Sequence, residues 1–333
     1  MIYVRPVAMS DPARPPGAWT LAGGWCWFDR AEVLDRRGSR GLVAAADLPA
    51  DVRDRLTAPR VAFAGLAMDR PRIMGVVNVT PDSFSDGGLY ADAASAVAQG
   101  RALAEAGAEM LDIGGESTRP GAGEVSAAEE TARVLPVIAA LASGGATVSV
   151  DTRKAGVAAP ALDAGARIVN DVSALTFDPA LARLVATRGV PVVLMHVQGT
   201  PQVMQDDPRY DDVLLDVYDW LEERIAAAEA AGIPRGRIAV DPGIGFGKTV
   251  AHNLALIRGL SLYHGLGCPI LLGASRKRFI GALAGEPQAD RRGPGTLAVT
   301  LAAVAQGVQI HRVHDVAGAR QALTLWQAAT GKG

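Results

Sequence analysis

Cysteine is nearly missing from this chain: two in 333 residues, Cys26 and Cys268, far apart and at no metal-ligand spacing. A disulfide scaffold and a zinc cluster are therefore not expected, and both thiols read as small buried residues. Histidine is scarce as well, with five residues and no His/Cys grouping of zinc type, and no Ser-His-Asp order accompanies a nucleophile elbow. No apolar run is long enough to span a bilayer, and the opening MIYVRPVAMSDPARPPG lacks the charged-then-apolar order of a signal peptide. Neither sign of charge dominates, and the formal net charge of −2 argues against a general nucleic-acid binder. These absences point to a cytoplasmic, reduced protein with no nucleic-acid or membrane partner.

What is present is the balance of a globular protein, 49% hydrophobic and 20% charged residues. The length suits one large barrel or two ordinary domains. Residues 1–69 differ from the rest. They are rich in Pro and Arg and hold three of the five tryptophans, Trp19, Trp25 and Trp27. A short helix near Ala50–Leu56 is the one regular element expected there. This stretch reads as an extension packed on the main domain, without a chemical motif, its tryptophans capping the bottom of the barrel or joining a dimer contact.

From Arg72 onward, within a main domain taken as 70–333, short apolar or β-branched runs alternate with Ala-rich amphipathic stretches, as repeated βα units do. The expected strands are Ile73–Val79, Met110–Ile113, Thr147–Val150, Ile168–Val169, Val190–Met195, Ile238–Val240, Ile270–Leu272 and Gln309–Val313. Helix starts are signalled by a capping box at Ser126-Ala-Ala-Glu129 and by Asp178-Pro179. The longest helix is expected from about Asp211 to Ala231, stopped by Gly232-Ile-Pro234. Eight such units suit an α/β chain folded as a (β/α)8 TIM barrel with an N-terminal extension; a doubly wound open sheet would not normally need eight equal units.

Nearly every expected strand ends in a polar residue. Asn78, Asp112, Asp151, Asn170, His196 and Asp241 mark the first six, Ser275 and Lys277 the seventh, Arg312 and His314 the eighth. One such residue is usually a helix cap. Eight together fit better with the barrel mouth, where the carboxyl ends of the strands converge and active sites are built. Asp151, Asn170 and Asp241 offer acceptors to the N–H edge of an amine-bearing heterocycle, and Lys277 a donor to its carbonyl and ring nitrogens. Arg312 and His314 alternate along one strand just before the last helix, whose N-terminus favours an anion. Thr118 and Arg119 add donors from the second loop. The mouth suits a flat ring joined to a phosphate group.

Asp241-Pro-Gly-Ile-Gly-Phe-Gly-Lys-Thr249 is not a nucleotide loop, because Pro242 and Lys248 stand where the phosphate-loop and dinucleotide patterns need glycine. Its glycines allow close approach to a ligand, with Phe246 as a wall. His252 and His264 read as surface or packing residues, while His196 is open between strand-end packing and a pocket wall. Two long polar loops, residues 78–88 and 114–121, leave adjacent strands and read as lids.

In order, Asn78–Gly88, Asp112-Ile-Gly-Gly-Glu-Ser-Thr-Arg-Pro120, Ser149-Val-Asp-Thr152, Ile168-Val-Asn-Asp171, Met195-His-Val-Gln-Gly199, Asp241–Lys248, Ser275-Arg-Lys277 and Arg312-Val-His-Asp315 resemble the motifs of the dihydropteroate synthases, over residues 70 to 330. Val197 departs from the methionine common in that family. The resemblance implies an enzyme of folate biosynthesis that joins a pterin pyrophosphate to p-aminobenzoate. It implies a pterin held by Asp151, Asn170, Asp241 and Lys277, with Met195 and Phe246 lining the slot. It implies a pyrophosphate held by Asn78, Thr118, Arg312 and His314, and Mg²⁺ bound by Asn78 and Asp86. The p-aminobenzoate would lie against Phe84, Arg119 and Pro120, its carboxylate at Ser275. Asp151, Lys277, Arg312, His314 and Arg119 would carry the catalysis, in a homodimer. A folate-dependent methyltransferase, or a pterin-binding paralogue without activity, are the competing readings. The former has no reason to keep Arg312-Val-His314 with Ser275-Arg-Lys277, and the latter would show damaged loops.

Overall fold

Residues 1–79, 88–117, 123–199 and 203–331 are described by the computed structural model, with the main chain alone for 88–92. The opening stretch is more regular than its sequence suggests. Strands β1 (Tyr3–Pro6), β4 (Arg30–Asp35) and β5 (Gly38–Ala44) form an antiparallel sheet in the order β1-β4-β5, while β2 (Trp19–Thr20) and β3 (Trp27–Phe28) pair as a short ribbon. Helix α1 (Ala50–Thr57) follows, where a helix was expected.

The main domain has all eight expected strands: β6 (Arg72–Asn78), β7 (Met110–Gly114), β8 (Val148–Asp151), β9 (Ile168–Asp171), β10 (Val192–Met195), β11 (Ile238–Asp241), β12 (Leu271–Leu272) and β13 (Ile310–Val313). They pair in parallel in the order β11-β10-β9-β8-β7-β6-β13-β12, and a parallel bridge between Val240 and Ile270 closes the ring. The fold is a TIM barrel. Between the strands run α2 (Gly88–Glu105), α3 (Ala127–Ser143), α4 (Ala155–Asp163), α5 (Pro179–Arg188), α6 (Val213–Ala230), α7 (Val250–Arg258), α8 (Arg278–Ala284) and α9 (Gly293–Val304), with α10 (Val316–Ala329) last. Among the described residues no helix is long and apolar enough to cross a membrane.

Local chemistry sets the helix starts. Asp178 accepts from the Ala180 amide ahead of Pro179, and Asp212 accepts from Leu214 and Leu215 to open α6. Ser126 accepts from the Glu129 amide, but the Glu129 carboxylate turns one helical turn onward to Arg133 at 2.5 Å, so the expected capping box is only half made. His252 completes a capping box with Thr249 instead. His264 is buried and bonds the Gln306 carbonyl at 2.9 Å, a packing role.

The bottom of the barrel is sealed by Phe63 and Met68, not by the tryptophans. Both are buried among Met74, Met110, Ile168, Val193, Ala239, Leu271 and Ile310, the inward residues at the amino ends of the strands. Trp25 packs instead on the barrel's flank, its indole N–H donating to the Val304 carbonyl at 2.8 Å in a cluster that includes Val313, Val316 and Leu323. Trp27 is buried and donates to the Asp11 carbonyl, while Trp19 is partly exposed beneath Arg53.

Candidate active site

Parallel register places Asp112 beside Ser149, and Asp151 beside Asn170, one layer above the apolar bottom of the barrel. From β13, Arg312 reaches across the barrel between two carboxylates. Its Nε lies 2.5 Å from Asp112 Oδ2 and its Nη2 2.9 Å from Asp151 Oδ2. Asn170 Nδ2 donates to the same Asp112 oxygen at 2.9 Å, while Asp112 Oδ1 is buried with no partner among the described residues. Burial, and then the Asp112 charge, push the Asp151 carboxyl up to about 8 even though Arg312 pulls the other way. Burial also opposes the charge on Arg312, but Asp112 and Asp151 more than offset it and hold the guanidinium above its ordinary range.

The opposite wall is Asp241 and the glycine loop after β11. Asp241 Oδ1 accepts from the Gly243 amide at 2.7 Å; burial nonetheless raises this carboxyl to about 6, against that amide and Lys277. Lys277 Nζ stands 3.9 Å from the centre of the Phe246 ring, and burial lowers its pKa to about 8. Met195, buried, pairs with Asp241 in the β10–β11 register. Beneath the loop, Lys248 Nζ lies 2.8 Å from His196 Nδ1 and donates to the Phe246 carbonyl at 2.9 Å. His196 is therefore a buried strut, held neutral because burial and then the Lys248 charge drive its pKa down to about 2. The loop needs its glycines: Gly243 has φ of +70°, and a Cβ there would meet the His196 carbonyl oxygen at 1.8 Å.

At the rim, Ser275 Oγ accepts from the His314 amide at 3.2 Å and lies 3.0 Å from His314 Nδ1, so the ends of β12 and β13 are joined side chain to side chain. Asp315 caps α10 through the Gly318 amide. Asn78 ends β6 opposite Gly114, half-buried. Among the described residues no group of three or more His, Cys, Asp or Glu could hold a metal ion. A lone amide oxygen at the mouth still suits Mg²⁺, which takes one or two protein oxygens and completes its shell with water and substrate phosphates.

The structure thus gathers Asp151, Asn170, Met195, Asp241, Phe246, Ser275, Lys277, Arg312 and His314 with Asn78 at one end of the barrel. Phe84, Asp86, Thr118, Arg119 and Pro120 lie outside the described residues. Sequence reasoning assigned no role to Asp112 or to the Lys248–His196 pair. Arg312, expected beside the anion site, is bound into the barrel by two carboxylates. The signal for Asp112 was its strand-end position, but its partner is 200 residues away.

Residues 74–314 match the family of pterin binding enzymes. Over 266 residues the chain is 48% identical to a dihydropteroate synthase of Neisseria meningitidis serogroup C, covering 79% of this chain and 94% of that protein. The solved structure of Xanthomonas albilineans dihydropteroate synthase with 4-aminobenzoic acid is 51% identical, with a TM-score of 0.77, and the match covers 81% of this chain and 98% of that one. The same organism's enzyme in complex with 7,8-dihydropteroate is matched at 48% identity and a TM-score of 0.74, over 81% and 98% of the two chains.

Proposed function

Because the chain belongs to the dihydropteroate synthase family of pterin-binding enzymes, we propose that it condenses 6-hydroxymethyl-7,8-dihydropterin pyrophosphate with p-aminobenzoate. The products are 7,8-dihydropteroate and pyrophosphate, formed by Mg²⁺-assisted dissociative substitution. The observation that carries this reading is the closed set of Asp112, Asp151, Asn170 and Arg312 facing Asp241 and Lys277 inside one barrel mouth.

The pterin lies deep. Asp151, Asn170 and Asp241 accept from its N–H edge, Lys277 donates to its carbonyl and ring nitrogen, and Met195 and Phe246 line the slot. The pyrophosphate stays at the rim with Asn78, Thr118 and His314, and Arg312 faces it from below. Asn78 and Asp86 would hold Mg²⁺, which supplies charge neutralisation on the leaving group. As the methylene C–O bond breaks, its electron pair leaves with the pyrophosphate, stabilised by Arg312 and His314. The methylene cation that remains is resonance-stabilised by the ring and faces the Asp151 carboxyl. The p-aminobenzoate, between Phe84, Arg119 and Pro120 with its carboxylate at Ser275, attacks through its amine, and the new C–N bond forms with loss of one amine proton. No covalent bond to the protein is needed. Residues 1–69 take no part in the chemistry, and residues 70–333 form the catalytic domain. The resemblance further supports a cytoplasmic homodimer.

The test is pyrophosphate release from the pterin pyrophosphate with Mg²⁺, with and without p-aminobenzoate. Release that depends on p-aminobenzoate and yields dihydropteroate is the expected result. Tight pterin binding by folded protein without turnover would overturn it and put the inactive paralogue or the methyltransferase ahead.

A further inference from the structure

Between β12 and α8 the chain makes a turn that its residues do not favour locally. The Lys277 amide returns to the Ala274 carbonyl at 3.4 Å, which puts Arg276 at the third position of the turn, with φ of +60°. Glycine is the usual residue at such a position, because at positive φ a Cβ crowds the following carbonyl oxygen. Among the described residues, positive φ occurs outside glycine at Ala22, Ala64, Ala174, Leu175 and Arg276, and of these Arg276 alone stands directly between two of the residues gathered at the mouth. Its amide and its carbonyl are both held from the start of α9. The amide donates to Oγ1 of the buried Thr296 at 3.0 Å. Thr296 Oγ1 donates in turn to the Arg292 carbonyl at 2.8 Å, so its proton is committed and its lone pairs are left for the amide. The Arg276 carbonyl accepts from Arg292 Nη1 at 3.0 Å. Arg292 is itself fixed, its Nε donating to the Glu286 carbonyl at 2.9 Å and its Nη2 to the Pro287 carbonyl. The helices beneath are tightly joined: a Cβ on Gly295 would lie 2.3 Å from Ile280 Cγ2, and one on Gly281 would lie 2.6 Å from Arg292 Nε.

We propose that Thr296 and Arg292 are positioning residues that hold Arg276 in this left-handed conformation and so aim Ser275 and Lys277 into the mouth. A left-handed residue other than glycine persists only where its surroundings over-determine it, and one bond to the amide with another to the carbonyl does so here. The consequence falls on the two neighbours. On one side Ser275 Oγ accepts from the His314 amide at 3.2 Å. On the other, Lys277 opens α8 and carries its ammonium over the Phe246 ring, its stem so close to the glycine loop that a Cβ on Gly245 would lie 3.1 Å from Lys277 Cδ. If Arg276 relaxes to negative φ, the chain leaves the turn in a different direction, and the two side chains lose their common aim. Among the described residues Thr296 and Arg292 bond main-chain atoms alone, so their effect on the mouth passes through the Arg276 backbone. The inference rests on the reading above, in which Lys277 meets the pterin and Ser275 the p-aminobenzoate carboxylate.

The test measures the effect of Thr296→Val twice, in the wild type and in Arg276→Gly, by calorimetric titration of the pterin pyrophosphate and by the KM for p-aminobenzoate. Valine keeps the shape of threonine and loses both bonds. In the wild type the pterin Kd and that KM should each rise about tenfold, the scale set by one strained residue. In Arg276→Gly, where glycine takes positive φ unaided, the same substitution should cost less than about threefold. Thr296→Ser keeps the hydroxyl and should restore both constants. If Thr296→Val does not fold, Arg292→Met, which frees the carbonyl instead of the amide, replaces it in the same pair of measurements. Lys277→Met checks the underlying reading. If it leaves pterin affinity unchanged, Lys277 does not serve that substrate and the proposal falls with the reading. If Lys277→Met weakens pterin binding but Thr296→Val does not, the reading stands and the proposal fails. An equal loss from Thr296→Val in both backgrounds would mean a packing role unrelated to the left-handed turn, and would also overturn it.

Discussion

The seal at the bottom of the barrel yields a stability prediction with a calculable size. Phe63 is fully buried, and its turn is pinned by mutual amide–carbonyl bonds with Leu66 at 2.9 and 3.0 Å. Phe63→Ala removes an aromatic ring from a cluster drawn from seven barrel strands, which cannot collapse without moving the closed sheet. A truncation of this kind costs about 3–5 kcal/mol. At about 2.1 cal/mol/K per residue, a chain of 333 residues has an unfolding entropy of roughly 0.7 kcal/mol/K, so Tm should fall by about 4–7 °C. The assay is far-UV circular dichroism during heating, paired with turnover at 25 °C, which should be unchanged because the seal is at the end opposite the polar mouth. Phe63→Leu should recover most of the loss. A fall in Tm below about 1 °C would refute the reasoning. So would a melt in which an early transition moves while the barrel's own transition stays in place, since the residues before β6 would then be an independent unit.

Asp151→Asn keeps the shape of the side chain but cannot ionise, so the comparison is made above pH 8, where the raised Asp151 carboxyl carries its charge. It should lower kcat by about a hundredfold with pterin still bound, and unchanged turnover would remove the electrostatic role. His311 is buried with its Nε2 3.0 Å from the Val308 carbonyl, and burial lowers its pKa to about 4 from an unfolded value of 6.5. Between those values the unfolded chain binds the extra proton, so the stability present above pH 6.5 is lost as pH falls toward 4. His311→Gln should flatten the pH dependence of urea-unfolding free energy in that window by about 1 kcal/mol per pH unit; an unaltered slope would contradict the assignment. Gly243→Ala should abolish pterin binding, because its Cβ would overlap the His196 carbonyl oxygen, whereas Gly123→Ala, with nothing within 4 Å, should bind as the wild type does. Calorimetric titration of both variants checks this, and retained binding in Gly243→Ala would show that the loop can be rebuilt.

The barrel was legible because each strand is a short apolar run bounded by a helix start or a glycine, and that signal is local. Even β12, only two residues long, stood out as Ile270–Leu272. The strand expected from Val190 begins at Val192 in the structure, after Pro191, which has no N–H to give a ladder. In the opening stretch the same reading failed. β2 and β3 are two residues each, and β4 carries Arg30, Glu32 and Asp35 on a largely half-exposed strand, so no clean alternation appears. For the mouth, the sequence marked which residues end strands but not which of them pair. Nothing local links Asp112 to Arg312, or Lys248 to His196; closure of the barrel makes those contacts. The Phe63 seal was missed for the same reason, since a lone Phe in a loop carries no periodicity.

The depth at which each group sits follows from the cost of desolvation. Asp112 and Asp151 flank Arg312, and Asp241 lies within the electrostatic reach of Lys277 and Lys248, so acids and bases are gathered together in the mouth. Burial raises Asp151 to about 8 and Asp241 to about 6, and lowers Lys248 to about 7 and Lys277 to about 8. Burial thus works against the charged form of each acid and each amine. On the proposed reading this pocket takes a neutral ring with donors and acceptors on one edge, which adds no net charge where burial already disfavours ions. A pyrophosphate at the same depth would strand its charge against Asp112 and Asp151. The proposed reading puts it at the rim, where His314, Ser275 and Asn78 end their strands and α10 begins. In the proposed reaction the bond to be broken then joins a ring held at depth to a leaving group held at the rim. That division separates charge in the direction the proposed dissociative step requires.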